Sequence, residues 1–286
     1  MINDYTTFKE TYNNSTHISL DEIHCKELIQ TLTFLQNKNV LMISLEMSEQ
    51  MYSRRMSALF SDINVNKLKD HTEILKKRVS TTKLSCPKAR LYIKQFSPIE
   101  FNSIKLKHLL KKLKETKDFI PDLIIVDYLN IMATNSPSYN MKSYERVGTI
   151  SKELRSVSIE THLPILSATQ SNRSGAGGGY AGEDISMNNT SDSAGINMDA
   201  DAIFALYQLE GERELGRINV KILKNRLGGY VDTIFPMTVN YETLKIGDWN
   251  QETDDDTASS LLNEEIKNNK ISKKEKEEIN ELFEEL

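Results

Sequence analysis

Four consecutive aliphatic residues, Leu123-Ile124-Ile125-Val126, lead directly into Asp127. Apolarity that does not alternate belongs to a strand covered on both faces, as in a parallel sheet with helices on each side. Other short β-rich runs are Val40–Leu45, Arg90–Gln95, Pro164–Ala168, Asp201–Tyr207, Arg217–Leu223 and Ile234–Val239. Helical periods lie between them. Phe101, Ile104, Leu109 and Leu113 form one stripe, and Tyr144, Val147, Ile150, Leu154, Val157 and Thr161 form another. This alternation predicts an α/β fold, a mostly parallel sheet flanked by helices. In such sheets ligand chemistry collects at the C-terminal ends of the strands.

With 286 residues, 38% of them hydrophobic, the chain supports one sizeable α/β core. The net charge of −5 hides an uneven distribution. Residues 250–286 carry 12 acidic and 5 basic side chains, whereas residues 51–120 carry 17 basic and 6 acidic ones. A basic region and an acidic tail therefore cancel, which leaves a nucleic-acid partner open. After Trp249 the sequence turns polar and charged, and we read residues 250–286 as an acidic tail, disordered or helical, with a partner-binding helix at its end. Asn225-Arg226-Leu227-Gly228-Gly229 is predicted to turn between two late strands. Cys25 and Cys86 read as reduced thiols, and neither they nor the five histidines have metal-ligand spacing. No apolar run approaches the length of a membrane span and no leader pattern opens the sequence, so a soluble cytoplasmic protein without a membrane partner is expected.

Three strand ends carry polar residues suited to nucleotide hydrolysis. In Val40-Leu41-Met42-Ile43-Ser44-Leu45-Glu46-Met47-Ser48, a carboxylate beyond a buried strand could accept a proton from an attacking water. Asp127, ending the aliphatic run, suits a carboxylate that holds Mg2+ beside nucleotide phosphates. In Pro164-Ile165-Leu166-Ser167-Ala168-Thr169-Gln170 the terminal amide could sense a phosphate.

Together these motifs resemble the DnaB-like hexameric replicative helicases, of the type found in T-even-like phages. Ser44-Leu45-Glu46-Met47-Ser48 looks like the family's element with the catalytic glutamate, and Ile124-Ile125-Val126-Asp127-Tyr128-Leu129 like its Walker B strand. Ser167-Ala168-Thr169-Gln170-Ser171-Asn172-Arg173-Ser174 resembles the phosphate-sensing strand. Ser193-Ala194-Gly195, Asp199-Ala200-Asp201 and Lys224-Asn225-Arg226 resemble the C-terminal part, over a likeness spanning about residues 25–245. The resemblance implies a RecA-like motor using ATP and Mg2+. Glu46 would polarise water, Asp127 would hold the metal and Gln170 would couple the γ-phosphate to the next loop. Arg226, assisted by Lys224, would act on a neighbouring subunit's nucleotide. Lys142, Arg173 and the backbone of Gly177, Gly178 and Gly179 would grip single-stranded DNA. A homo-hexamer moving 5′ to 3′, and a primase or helicase loader as further partner, follow from the same resemblance.

One part of the family pattern is missing. The Gly-x-x-x-x-Gly-Lys-[Ser/Thr] loop cradles phosphates through glycine backbone amides and a lysine. Here none of the twelve glycines precedes Gly148, and five of them cluster in Gly175–Gly182, within a predicted loop from Ser171 to Ser193. Counting back from Asn39 puts Glu22 where the lysine is expected, and a carboxylate there would repel phosphate. The segment from Leu28 to Phe34 still resembles the helix after the loop. These features predict an unassigned segment at 1–20, a motor domain at 21–249 lacking the Walker A strand and loop, and the tail at 250–286. The loop would then come from a complementing N-terminal helicase fragment. Loss of a central strand would leave sheet edges unpaired and the isolated chain poorly stable. The alternatives are a non-enzymatic pseudo-ATPase subunit that binds single strands or replication partners, and a RecA-class recombinase.

Overall fold

The computed structural model describes residues 17–19, 36–136, 141–169, 198–209, 211–226, 228–229 and 231–249. Their strands are β1 (His17–Ser19), β2 (Val40–Ser44), β3 (Leu91–Gln95), β4 (Leu123–Asp127), β5 (Ile165–Ser167), β6 (Ala202–Tyr207), β7 (Arg217–Asn225), β8 (Ile234–Asn240) and β9 (Lys245–Asp248). The helices are α1 (Glu49–Ser61), α2 (Thr72–Ser85), α3 (Ser103–Lys117) and α4 (Ser143–Thr161). The strands form one sheet in the order β3-β2-β4-β5-β1-β6-β7-β8-β9. From β3 to β6 all pairs run parallel, whereas β6–β7 and β7–β8 are antiparallel.

β2 and β4 are buried on both faces, which accounts for their unbroken apolarity. Successive side chains point to opposite faces. Leu41, Ile43, Ile124 and Val126 join Leu106 and Leu113 of α3 and Val147, Ile150, Leu154 and Val157 of α4 in one core layer. Val40, Met42, Leu123 and Ile125 join Tyr52, Met56 and Leu59 of α1 in the other. The seven expected strands form within a few residues of their expected limits, and the α4 stripe packs through Val147, Ile150, Leu154 and Val157, whereas Tyr144 is exposed and Thr161 only half-buried. The first helical stripe needs correcting. Phe101 is buried but precedes α3, and Ile104 is 48% exposed, while Leu106 takes the core position. Asn102 caps the helix by accepting from the Lys105 amide at 3.0 Å, so the period starts after Phe101.

A larger correction concerns the expected gap in the sheet. His17–Ser19 pairs in parallel with β5 on one side and β6 on the other. Buried backbone N–H and C=O groups need partners, and this three-residue strand supplies them to both neighbours. The edges of β5 and β6 are therefore paired, and the sheet draws on residues that precede position 21.

By contact density the chain divides into two compact units, Met1–Gly247 and Asp248–Leu286. In the second only Asp248 and Trp249 are described, so the expected acidic tail at 250–286 lies outside the described residues, as does the expected helix at 28–34. No helix among the described residues is long and apolar enough to cross a membrane.

Candidate nucleotide site at the strand ends

Parallel pairing brings the three motifs side by side. Ser44 is in register with Asp127, and Val126 with Ser167. The amide of Leu45 donates to the Asp127 carbonyl at 2.8 Å, extending the ladder one step past β2. In the following turn nearly every residue has a structural task. The Ser44 hydroxyl donates to the Met47 carbonyl at 2.6 Å and accepts from its amide at 3.0 Å. Leu45 is buried, Met47 packs against the α1 layer, and the Ser48 hydroxyl caps α1 by accepting from the Met51 amide at 3.2 Å. Glu46 is left exposed at the rim, next to the end of β4.

Asp127 is 1% exposed, and one of its carboxylate oxygens accepts a hydrogen bond from the Tyr52 hydroxyl of α1. The next residue, Tyr128, follows through a cis peptide. Its phenol is pushed above the usual range, first by burial and then by the negative charges of Glu46 and Asp127, which places all three groups in one electrostatic neighbourhood. Among the described residues no group of three His, Cys, Asp or Glu side chains forms a metal cage. A single oriented carboxylate does fit Mg2+, which is usually held by one or two carboxylates together with waters and substrate phosphates.

Beyond Tyr128 the chain is tied to α4 and α3. Arg146 donates to the carbonyls of Met132 at 2.9 Å and Asn130 at 2.7 Å. Glu153, two turns further along α4, accepts from the Thr134 hydroxyl at 2.8 Å, the Asn135 amide at 3.0 Å and the Ser103 hydroxyl at 3.3 Å. Lys142 sits at the start of α4, where its backbone amide donates to Glu145 at 3.0 Å and its ammonium lies 5.9 Å from the Tyr144 ring.

Lys224 lies at the end of β7, in register with Ile203 of β6, and Arg226 follows directly after the strand. Arg226 is engaged within its own chain. One guanidinium nitrogen donates to the Asp201 carboxylate at 3.1 Å, another to the Met198 carbonyl at 2.5 Å, and the backbone amide to the Asp201 carbonyl at 2.8 Å. Arg155 of α4 donates to the same Asp201 oxygen at 3.1 Å and also to the Asp199 carbonyl. Burial, followed by the charge of Arg226, holds the Lys224 ammonium below its usual value. Burial raises the Asp199 carboxyl despite Lys152, Arg155 and Arg226 nearby.

Of the sequence-predicted residues, Glu46 and Asp127 come together, and Lys224 and Arg226 share a hairpin end. Gln170, Arg173, Gly177, Gly178 and Gly179 lie outside the described residues. Sequence reasoning missed Tyr52 and Arg155 as parts of the site. Both lie on helices whose stripes read as core or surface, and only the tertiary pairing reveals their partners. The basic block of 51–120 is also divided. α2 packs with α1 on one face of the sheet, whereas α3 lies on the other, so its cations form no single surface.

Sheet order and strand direction define the class, a RecA-like α/β fold. Two solved structures share it. One is a DnaB-like replicative helicase described with its interactions with primase, with TM-score 0.65, 16% identity and coverage of 83% of this chain and 58% of that one. The other is an ATPase domain, with TM-score 0.66, 15% identity and coverage of 83% of this chain and 86% of that one. The family described as DnaB-like helicase C terminal domain matches residues 23–244, and the chain belongs to it. Relatives include the DnaB-like replicative helicase of Enterobacteria phage T4, 29% identical over 194 residues, or 66% of this chain and 40% of that protein. The replicative DNA helicase DnaB of Helicobacter pylori strain 26695 is 29% identical over 181 residues, or 60% of this chain and 34% of that protein. The chain thus spans less than half the length of these relatives.

Proposed function

We propose that the chain is the motor part of an ATP-dependent replicative DNA helicase that translocates on single-stranded DNA and unwinds duplex, completed by a separate chain that supplies the phosphate-binding loop. The observation that carries this reading is the placement of Glu46 and Asp127 at the ends of the paired strands β2 and β4. Mg2+ bound through Asp127 would neutralise charge on the phosphates. Glu46, free of structural duties at the rim, polarises the attacking water. Gln170 reports the γ-phosphate to the loop that follows. Lys224 and Arg226 stabilise charge on the nucleotide of an adjacent subunit, which requires a ring-like assembly, a hexamer by family analogy. Lys142, Arg173 and the amides of Gly177, Gly178 and Gly179 contact the DNA backbone, a contact that tolerates any sequence and weakens with salt. A primase or a loader is the further partner, and the cytoplasm, a host cell's for a phage gene, is the compartment.

Glu22 in place of the loop lysine, with no glycine before Gly148, favours a second reading: a non-enzymatic subunit that binds single strands or replication proteins without turnover. Family membership weighs against the RecA-class recombinase. The test is DNA-stimulated ATP hydrolysis by the chain alone and mixed with an upstream fragment that carries the loop. Hydrolysis in the mixture, abolished by Glu46→Gln, supports the motor reading. Association without hydrolysis supports the second.

A further inference from the structure

We infer that Asp201 latches the Arg226 guanidinium inside its own chain, and that Arg155 tunes this latch by sharing the same carboxylate oxygen. The inference deepens the reading of Arg226 as a cation for a neighbour's phosphates, and only its purpose rests on that reading. The geometry is specific. Arg226 uses two nitrogens in cis, on Asp201 at 3.1 Å and on the Met198 carbonyl at 2.5 Å, so it cannot present both to a phosphate while latched. Its backbone amide is separately fixed to the Asp201 carbonyl at 2.8 Å, and Asn225 donates to the Gly228 carbonyl at 2.7 Å. Release therefore needs only side-chain rotation, with the turn staying in place.

Arg155 makes that release feasible. The Asp201 side chain is 11% exposed, and a buried carboxylate stripped of its cation is strongly disfavoured. When Arg226 leaves, the Arg155 guanidinium, itself 28% exposed, still neutralises Asp201. The Arg226 side chain, at 43%, is the more exposed of the two and the one free to swing outward. A phosphate that arrives at the turn thus competes with a carboxylate already satisfied from the other side. Lys152, Lys224 and Asp199 are the further charged groups among the described residues around this cluster.

The test is a mutant cycle on the full chain, with inorganic phosphate as probe and its affinity read by phosphorus NMR titration. The quantity is the factor by which Arg226→Ala weakens phosphate binding, taken in wild-type, Asp201→Asn and Arg155→Met backgrounds. A latch predicts a factor about fivefold larger in Asp201→Asn, where Arg226 is released. It predicts a factor smaller than wild type in Arg155→Met, where Arg226 no longer shares the oxygen. A general basic patch, or a purely structural role for Asp201, gives the same factor in all three backgrounds and overturns the latch. Should Asp201→Asn fail to fold, the Arg155→Met arm alone decides. No hydrolysis is measured, so a chain inactive in every ATPase mixture can still confirm the latch, and an active one can still refute it.

Discussion

The Tyr52 hydroxyl donates a hydrogen bond to the Asp127 carboxylate, both residues being essentially buried, at 0% and 1% exposure. The residue that ends β4 is thereby oriented from α1, the helix that begins three residues after Glu46. Tyr52→Phe keeps the ring in its layer with Met56 and Leu59 but removes the donor. We expect a loss of about 1–2 kcal/mol, the cost of depriving a buried charged acceptor of one hydrogen bond. Tyr52→Ala also empties the ring's volume and should cost about 3–5 kcal/mol. Urea unfolding of both variants measures this, and a Tyr52→Phe variant as stable as wild type would mean that the hydroxyl contributes nothing.

Gly216, just before β7, has φ +65°, and a Cβ there would lie 2.7 Å from the Val239 carbonyl oxygen. That oxygen is backbone in β8, so it cannot move aside cheaply. Gly216→Ala should destabilise the antiparallel half of the sheet by about 1–3 kcal/mol. Gly211 has φ +82° but nothing within 4 Å of the added carbon, so Gly211→Ala should cost about 1 kcal/mol, from backbone strain alone. The difference between the two urea midpoints isolates the steric contribution.

Glu49 and Lys94 lie 2.9 Å apart and join the start of α1 to the edge strand β3. The hydrogen bond from Lys94, then that from the Gln95 amide, lowers the Glu49 carboxyl below its usual value, while Glu49 raises the Lys94 ammonium. A lowered carboxyl contributes stability that is complete above its unfolded value, 4.5, and lost as pH falls through the folded one. A raised ammonium contributes below its unfolded value, 10.5, and loses that contribution as pH climbs through the folded one. Both side chains are 41% exposed, so solvent screening keeps the pair below about 1 kcal/mol. The urea midpoint of Glu49→Gln should lie slightly under wild type at pH 7 and meet it once pH has fallen below the folded value of Glu49. A gap that persists in acid would assign the effect to packing.

The sequence made the parallel half of the fold legible because burial on both faces forces continuous apolar strands, and these end at the candidate site residues. Leu123–Asp127 and the Ser44–Ser48 element could be placed from their residues alone. His17–Ser19 could not, since three residues are too few for any periodicity and only their pairing with β5 and β6 makes them a strand. Tyr52 was hidden for another reason: on an apolar helix face its ring reads as core, which it is, while its hydroxyl has a second role set by a strand 75 residues away. Arg226 was legible as a basic residue in a turn, but Asp201, which holds it, and Arg155, which shares that carboxylate, come from β6's approach and from α4.

The stretch after Asp127 is fastened to α4 at two separate points. Arg146 holds the carbonyls of Asn130 and Met132, and Glu153, seven residues on, holds Thr134 and the Asn135 amide. Seven residues are two helical turns, so both anchors project from one side of α4 and clamp consecutive parts of the segment. Arg146→Ala should free the first part and leave the Asn135 amide protected. Glu153→Gln keeps one acceptor oxygen but loses the charge, and should speed exchange at Asn135 while sparing Met132, whose amide donates to Leu129 at 3.0 Å. Each lost charge-assisted bond is worth about 1.5–3 kcal/mol, roughly a tenfold to hundredfold change in local opening. Amide hydrogen exchange at Met132 and Asn135 reads the two parts separately. Parallel acceleration at both sites in either variant would show one cooperative segment in place of two independent clamps.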